Sequence, residues 1–435
     1  MEKHDMMSDS GRPWLGQIPQ HWKILRMKNV FEVVSERNHP DAEVLSLYRE
    51  YGVLPKSSRD DNHNVTSEDT ASYKFVRVDD LVINKMKAWQ GSLGISQYEG
   101  IVSPAYYVCR FINDEVSKRY YHYLLRSRTY AQEFERLSTG MRVGQWDLGI
   151  DDFMAVPALI PPIEEQRAIA AYLDDQVAQI DSIIAEARAN IEEYKQFRAA
   201  TIEETTLGYA LPVTKKKSGI EWIDEIPVTW QALRLKSLFS FGKGLPITKD
   251  NLVENGTAVI SYGQIHAKFN RGTEIVEGLI RYVPESYIET NPESLVHKGD
   301  ILVADTSEDT DGCGNAVYVD RDMQLFAGYH TIILRDIIGR NNKYLAYLFR
   351  TNAWRSQIRS RVSGVKLFSI SKKLLNMATV ILPPEEDQQE IIRKLDKICR
   401  EIDEIITGKE ELISDLEIYK RSLIYEAVTG KRKVV

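Results

Sequence analysis

Residues 14–31 and 222–239 carry one pattern twice, and a chain that repeats itself this way folds as two related halves. Trp14-Leu-Gly-Gln-Ile18-Pro19-Gln-His-Trp22 returns as Trp222-Ile-Asp-Glu-Ile226-Pro227-Val-Thr-Trp230, and Leu25, Arg26, Lys28 and Phe31 return as Leu233, Arg234, Lys236 and Phe239. The offset is 208 throughout, with no gap. Tryptophan is rare, so two tryptophans kept at one spacing exclude coincidence. A second match, at a shift of 222, brings Pro161-Pro162-Ile-Glu-Glu-Gln166 back as Pro383-Pro384-Glu-Glu-Asp-Gln388 and holds register to Gly208 and Gly430. Between these ends the copies correspond loosely: Tyr120, Tyr123, Leu124, Arg126 and Gly140 align with Tyr344, Tyr347, Leu348, Arg350 and Gly364.

Each copy has two parts. The first mixes short β-branched runs, Asp80–Asn84 and Tyr107–Phe111 in one copy, Asp300–Ala304 and Thr331–Arg335 in the other, with helical pieces over Lys118–Glu135 and Asn342–Arg359. The second is a long helix. No Pro or Gly interrupts Ile163 to Leu207, and apolar residues step by three and four through Ile169, Leu173, Val177, Ile180, Ile184, Ala187, Ile191 and Tyr194. The other copy runs Ile391, Leu395, Ile398, Ile402, Ile405, Leu412, Leu416, Tyr419 and Leu423, with Gly408 inside it. A seam of this length predicts a coiled coil, about 45 residues or roughly 65 Å long. The expected fold class is α+β: two duplicated α/β domains separated by two long helices that form an antiparallel coiled coil. The expected segments are residues 1–160 (first domain), 161–208 (first spacer helix), 209–382 (linker and second domain) and 383–435 (second spacer helix and basic tail).

Charge and cysteine content narrow the function. Fifty-six Lys and Arg against 63 Asp and Glu leave a net charge of −7, so nucleic-acid binding must come from local patches. Three scattered cysteines, Cys109, Cys313 and Cys399, form neither a disulfide framework nor a zinc knuckle. The opening residues lack an apolar signal segment, and no run of about 18 apolar residues exists. A soluble, cytoplasmic protein with no membrane association is expected. Two related but divergent domains on a rigid spacer suit reading two different short sequences along one DNA duplex.

The residues also resemble a known family. The Ile-Pro-x-x-Trp opening (Ile18, Pro19, Trp22; Ile226, Pro227, Trp230), the Pro-Pro-x-x-x-Gln helix start in both copies, Ser103-Pro104-Ala105-Tyr106 and Tyr262-Gly263-Gln264-Ile265 resemble the specificity subunit of Type I restriction–modification enzymes, over essentially the whole chain. The resemblance implies that each domain is a target-recognition domain reading one half of a bipartite site in double-stranded DNA, while the helices set the gap. It further implies docking of two adenine methyltransferase subunits and, indirectly, of a restriction/translocase subunit. The chain itself would be non-catalytic, with no cofactor of its own; S-adenosylmethionine, ATP and Mg would sit on the partners.

The motifs agree. No Asn/Asp-Pro-Pro-aromatic motif, phosphate loop or His-Glu-x-x-His is present, and no metal site is expected. Asp305-Thr-Ser-Glu308-Asp309 lacks the Glu-x-Lys partner of a metal nuclease, and Cys313 reads as a buried small residue. For DNA contact, cations, amides and aromatics around glycine are the signal. In the first domain these are Lys85, Lys87, Trp89, Gln90 and Ser92 after a strand, and Arg142 and Gln145 in the loop after Gly140. In the second they are Tyr262, Gln264, His266 and Lys268, and Lys366 and Ser369 after Gly364. The basic runs Lys215–Lys217 and Lys431–Lys433 are expected as a solvated linker and tail. The competing reading is a two-headed coiled-coil scaffold that binds proteins and no DNA; a self-contained modification or restriction enzyme ranks behind it.

Overall fold

In each copy the first duplicated segment is hydrogen-bonded to the strand that leads into the second. Lys23–Arg26 runs antiparallel to Pro157–Ile160, and Gln231–Arg234 runs antiparallel to Thr379–Leu382. A change on one strand is therefore felt on its partner. The computed structural model describes residues 4, 6–49, 51–59, 70–113, 115–142, 145–362, 364 and 367–434; for 141, 142 and 145 only the backbone is described. The chain divides into two compact units, Met1–Arg188 with Glu410–Val435, and Ala189–Lys409. Each long helix, α1 (Ile163–Thr206) and α2 (Glu385–Val428), is thus shared between the units.

Each unit is built on a four-stranded antiparallel sheet. In the first unit β1 (Phe31–Val34), β2 (Leu81–Asn84), β3 (Leu93–Ile95) and β4 (Tyr106–Phe111) lie in the order β1-β4-β2-β3. In the second, β5 (Phe239–Lys243), β6 (Ile301–Ala304), β7 (Ala316–Tyr318) and β8 (Thr331–Asp336) repeat it as β5-β8-β6-β7. Strands β2 and β6 are fully buried, as expected of continuous apolar runs. A buried aspartate precedes each: Asp80 receives the Arg77 N–H and both Nε and Nη2 of Arg110, and Asp300 receives the His297 N–H and the Arg335 guanidinium. The second unit adds a further four-stranded sheet that includes Thr257–Ile260 and Leu325–Ala327, the two strands running parallel.

The long helices begin where the prolines permit. Gln166 and Gln388 donate back to the carbonyls of Pro161 and Pro383, and Gln166 also accepts the Ser117 N–H. At their C-termini Gly208 (φ +71°) and Gly430 (φ +69°) take the left-handed conformation that closes the last turn. The helices pair as an antiparallel coiled coil. In the first unit Asp181 meets Lys420 and Glu417 meets Arg188; in the second Arg198 meets Asp403. Ile169, Leu173, Ile180, Ile184, Ala187 and Ile191 are buried as the seam predicts. In α2 the seam slips: Ile405, Leu412 and Tyr419 are exposed, while Ile406 is buried and Ile413 and Leu416 are partly covered. A straight helix at 3.6 residues per turn drifts against a strict 3.5 repeat, which rotates the buried stripe.

Two other expectations change. The helical stretches of the domains are broken pairs, Lys118–Arg126 with Arg128–Leu137 and Lys343–Leu348 with Asn352–Arg359, because the side chain of Thr351 caps a new start and the Ser127 hydroxyl donates to the Leu124 carbonyl. Lys215–Lys217 is no linker but the start of a strand, Lys215–Ile220, hairpinned to Ile223–Pro227. Of the basic tail, Lys431 donates to the Leu15 carbonyl and Arg432 pairs with Glu426.

Candidate nucleic-acid interface

In the first unit the two candidate segments come together. Thr139–Arg142 pairs antiparallel with Gln145–Asp147, where the sequence suggested a loop. Lys85 pairs with Asp147 at 2.9 Å, its carbonyl accepts the Leu148 N–H, and Trp89 meets Trp146 with ring centroids 5.2 Å apart. The Lys85–Asp147 bond raises the lysine pKa. Trp89 is half-buried and donates its indole N–H to the Met86 carbonyl. Ser92 is buried in the turn. Lys87 is exposed, with no ion pair among the described residues, and Gln90 is half-exposed beside it. This sorts the candidates physically: Lys85, Trp89 and Ser92 shape the surface, while Lys87 and Gln90 can reach outward from it. The side chains of Arg142 and Gln145 lie outside the described residues.

In the second unit three candidates, Tyr262, His266 and Lys268, line a cleft of about 570 Å³. Tyr262–Ile265 is a one-turn helix with a capping box: Ser261 receives from its third residue while Gln264 accepts the Ser261 N–H at 3.1 Å. The Gln264 side-chain oxygen is thereby committed to the cap. His266 is committed too. Its Nε2 lies 2.7 Å from the Thr306 carbonyl, and its Nδ1 lies 3.1 Å from the Asn315 side-chain amide. A carbonyl can only accept, so the proton sits on Nε2 and Nδ1 accepts from Asn315. Ser369 is exposed on a strand, Phe368–Ser369, paired with Thr306–Ser307. The two candidate segments of this unit therefore share one strand. Tyr262 and Lys268 line the cleft, and Lys268 is exposed without an ion pair among the described residues. Lys366 lies outside the described residues.

Sequence reasoning missed the far wall of this cleft. Arg350 and Arg355 line it, the first from the turn after Lys343–Leu348 and the second from the helix Asn352–Arg359. Burial, with Arg198 and Arg355 nearby, pulls the Arg350 pKa down to about 10, so it stays cationic at neutral pH while donating to the Arg271 carbonyl. Its counterpart Arg126 likewise donates to the Leu93 and Arg49 carbonyls. That alignment was the available signal. Exposed Glu308, Asp309 and Asp311 share the rim and repel phosphate, though a carboxylate can accept from a cytosine amino group. Asp305 is engaged by His330 at 2.7 Å and by the Thr306 hydroxyl at 2.8 Å. Cys313 is fully buried, and burial raises its thiol pKa, which is the opposite of what a nucleophile requires.

Comparisons with known proteins agree over the whole chain. A family model described as the Type I restriction modification DNA specificity domain matches twice, over residues 19–193 and 227–414. The MjaVIII specificity subunit of a Type I restriction enzyme from Methanocaldococcus jannaschii is 21% identical, covering 96% of this chain and 94% of its own. The EcoKI specificity subunit from Escherichia coli is 20% identical, covering 96% and 90%. Among solved structures, a chain from work on complex assembly and conformational transition of the type I R-M system superposes with a TM-score of 0.65 at 15% identity, covering 94% of this chain and 98% of that one. The HsdS subunit from Thermoanaerobacter tengcongensis gives 0.53 at 14% identity, covering 95% and 98%.

Proposed function

The chain belongs to the Type I restriction modification DNA specificity family, and from that premise we propose that it is the non-catalytic subunit that chooses the DNA sequence for such a complex. Each target-recognition domain reads one half of a bipartite site, and the paired helices set the gap between the halves. The observation that carries this reading is the double match: two specificity domains in one chain, each followed by a long helix. The scaffold alternative loses support, since both heads match a DNA specificity model.

Two methyltransferase subunits dock on the helices in this reading, and a restriction/translocase subunit joins the assembly through them. S-adenosylmethionine, ATP and Mg belong to those partners. Among the described residues no helix is long and apolar enough to cross a membrane, and the proposed place of action is the cytoplasm, where the DNA is. Lys87 and Gln90 in the first domain, and Tyr262, Lys268 and Ser369 in the second, are the proposed direct contacts; Arg142, Gln145 and Lys366 remain proposed from the sequence alone. Lys85, Trp89, Ser92, Gln264 and His266 support them from behind.

Modified-base sequencing of the host genome, with and without this gene, tests the reading. Loss of methyladenine at one two-part motif of fixed gap is expected. An unchanged methylome in cells that express the partner subunits would refute it.

A further inference from the structure

We propose that His4, His21 and Glu165 form a binding site for a divalent transition metal of the zinc type, in the first unit, at the start of α1. The sequence shows no metal-ligand spacing here, because the three residues come from separate segments. The fold brings them together: one ligand atom from each lies within 4.8 Å of the others. His21 Nε2 is 2.8 Å from Glu165 Oε2, and His4 Nε2 is 3.5 Å from Glu165 Oε1. Adjacent ligands around a tetrahedral zinc ion with bonds of about 2.1 Å stand about 3.4 Å apart. Small side-chain rotations therefore suffice. The side chains of His4 and Glu165 are only 9% and 11% exposed. Two imidazoles and one carboxylate, with a fourth position open toward the adjoining cleft, are a donor set that borderline-soft divalent ions favour over Mg or Ca.

The duplication supplies an internal control. In the second unit the position matching Glu165 is Asp387, and it accepts the indole N–H of Trp230 at 3.1 Å. The positions matching His21 and His4 are Thr229 and Pro212. In the first unit the matching tryptophan, Trp22, is 5% exposed, and its Nε1 is buried with no hydrogen-bond partner among the described residues. The carboxylate has been turned from the indole toward the two histidines. Leaving a buried N–H unmade costs free energy, and a bound cation on the carboxylate would offset that cost. Lys433 also lines the cleft. The metal would tie His4 to the base of α1, bridging 161 residues of chain.

The test uses the full chain without an added tag, stripped with chelator and titrated with ZnCl2 by calorimetry, with Co2+ absorption as a second probe. One Zn2+ per chain is expected, with a rise in Tm of about 5 °C at a hundredfold excess over Kd. His21→Thr installs the residue of the second copy at an exposed position, so folding is not at risk. It should weaken Zn2+ binding at least tenfold while the metal-free Tm stays put, and His4→Ala should weaken binding as much. Replacing Cys109, Cys313 and Cys399 together by Ser should leave binding unchanged. No Zn2+ binding at micromolar concentration, equal binding by His21→Thr, or loss of binding only in the cysteine variant would each overturn the proposal.

Discussion

Removing the carboxylate of Asp300 tests whether the buried aspartate ahead of the central strand holds the second sheet together. Asp300 is 3% exposed and accepts from the His297 N–H at 2.9 Å and from Arg335 Nη2 at 2.9 Å and Nε at 3.2 Å. Charge-assisted bonds contribute about 1.5–3 kcal/mol each. Asp300→Ala would not forfeit the full sum. Arg335 is 37% exposed and keeps its bond to the Leu295 carbonyl, and the His297 backbone can turn to water. A loss of about 2–4 kcal/mol is expected, below the 3–5 typical of a fully buried pair. In a unit of roughly 200 residues this lowers Tm by about 5–15 °C. Urea unfolding of Asp300→Ala, Arg335→Ala and the double variant gives the pair's coupling, expected at about 1.5 kcal/mol or more. A cost below about 0.5 kcal/mol for Asp300→Ala, or additivity in the cycle, would refute the reasoning.

Other expectations follow from single features. The Trp230→Phe change should cost about 1 kcal/mol more than Trp22→Phe, since only Trp230 loses a hydrogen bond to a carboxylate; equal losses in denaturant melts would contradict this. Gly430→Ala places a Cβ 2.2 Å from Pro19 Cδ at φ +69° and should cost about 3 kcal/mol or more, whereas Gly408→Ala, inside α2 with open space around it, should stabilise by about 0.5–1 kcal/mol. Burial beside Arg126 and Arg119 lowers the His122 pKa to about 3. The unfolded chain, with an ordinary pKa near 6.5, then binds a proton that the folded one refuses, so stability falls with pH between about 6.5 and 3, by up to about 1.4 kcal/mol per unit. His122→Gln should flatten that slope in pH-dependent melts. In the assembled complex, Lys87→Ala or Lys268→Ala should reduce the salt dependence of DNA binding by about one phosphate contact each, and unchanged salt slopes would remove those two residues from the interface. Deleting four residues of α1 near Ala187 removes about 6 Å of helix and should change the gap between half-sites or abolish recognition; the same site read with the same gap would sink the spacer reading.

What was legible in the sequence follows from chemistry that acts locally or recurs with a short period. The Pro-Pro helix starts, the glycines that end both long helices, the apolar seam and the two buried strands each depend on residues a few positions apart, and a duplication doubles every such signal. Family membership was legible for the same reason, since the motifs that carry it are short and occur twice. Only the tertiary structure decided which candidate residues face outward. Gln264 and His266 read as DNA contacts from the sequence; in the structure the Ser261 N–H takes the Gln264 oxygen and the Thr306 carbonyl takes the His266 Nε2, partners three and forty positions away. The slipped seam of α2 required the actual helical twist, and Arg350 required the fold to carry it to the cleft. His4, His21 and Glu165 had no spacing to betray them, because side chains that meet through the packing of a helix start on a hairpin leave no period in the chain.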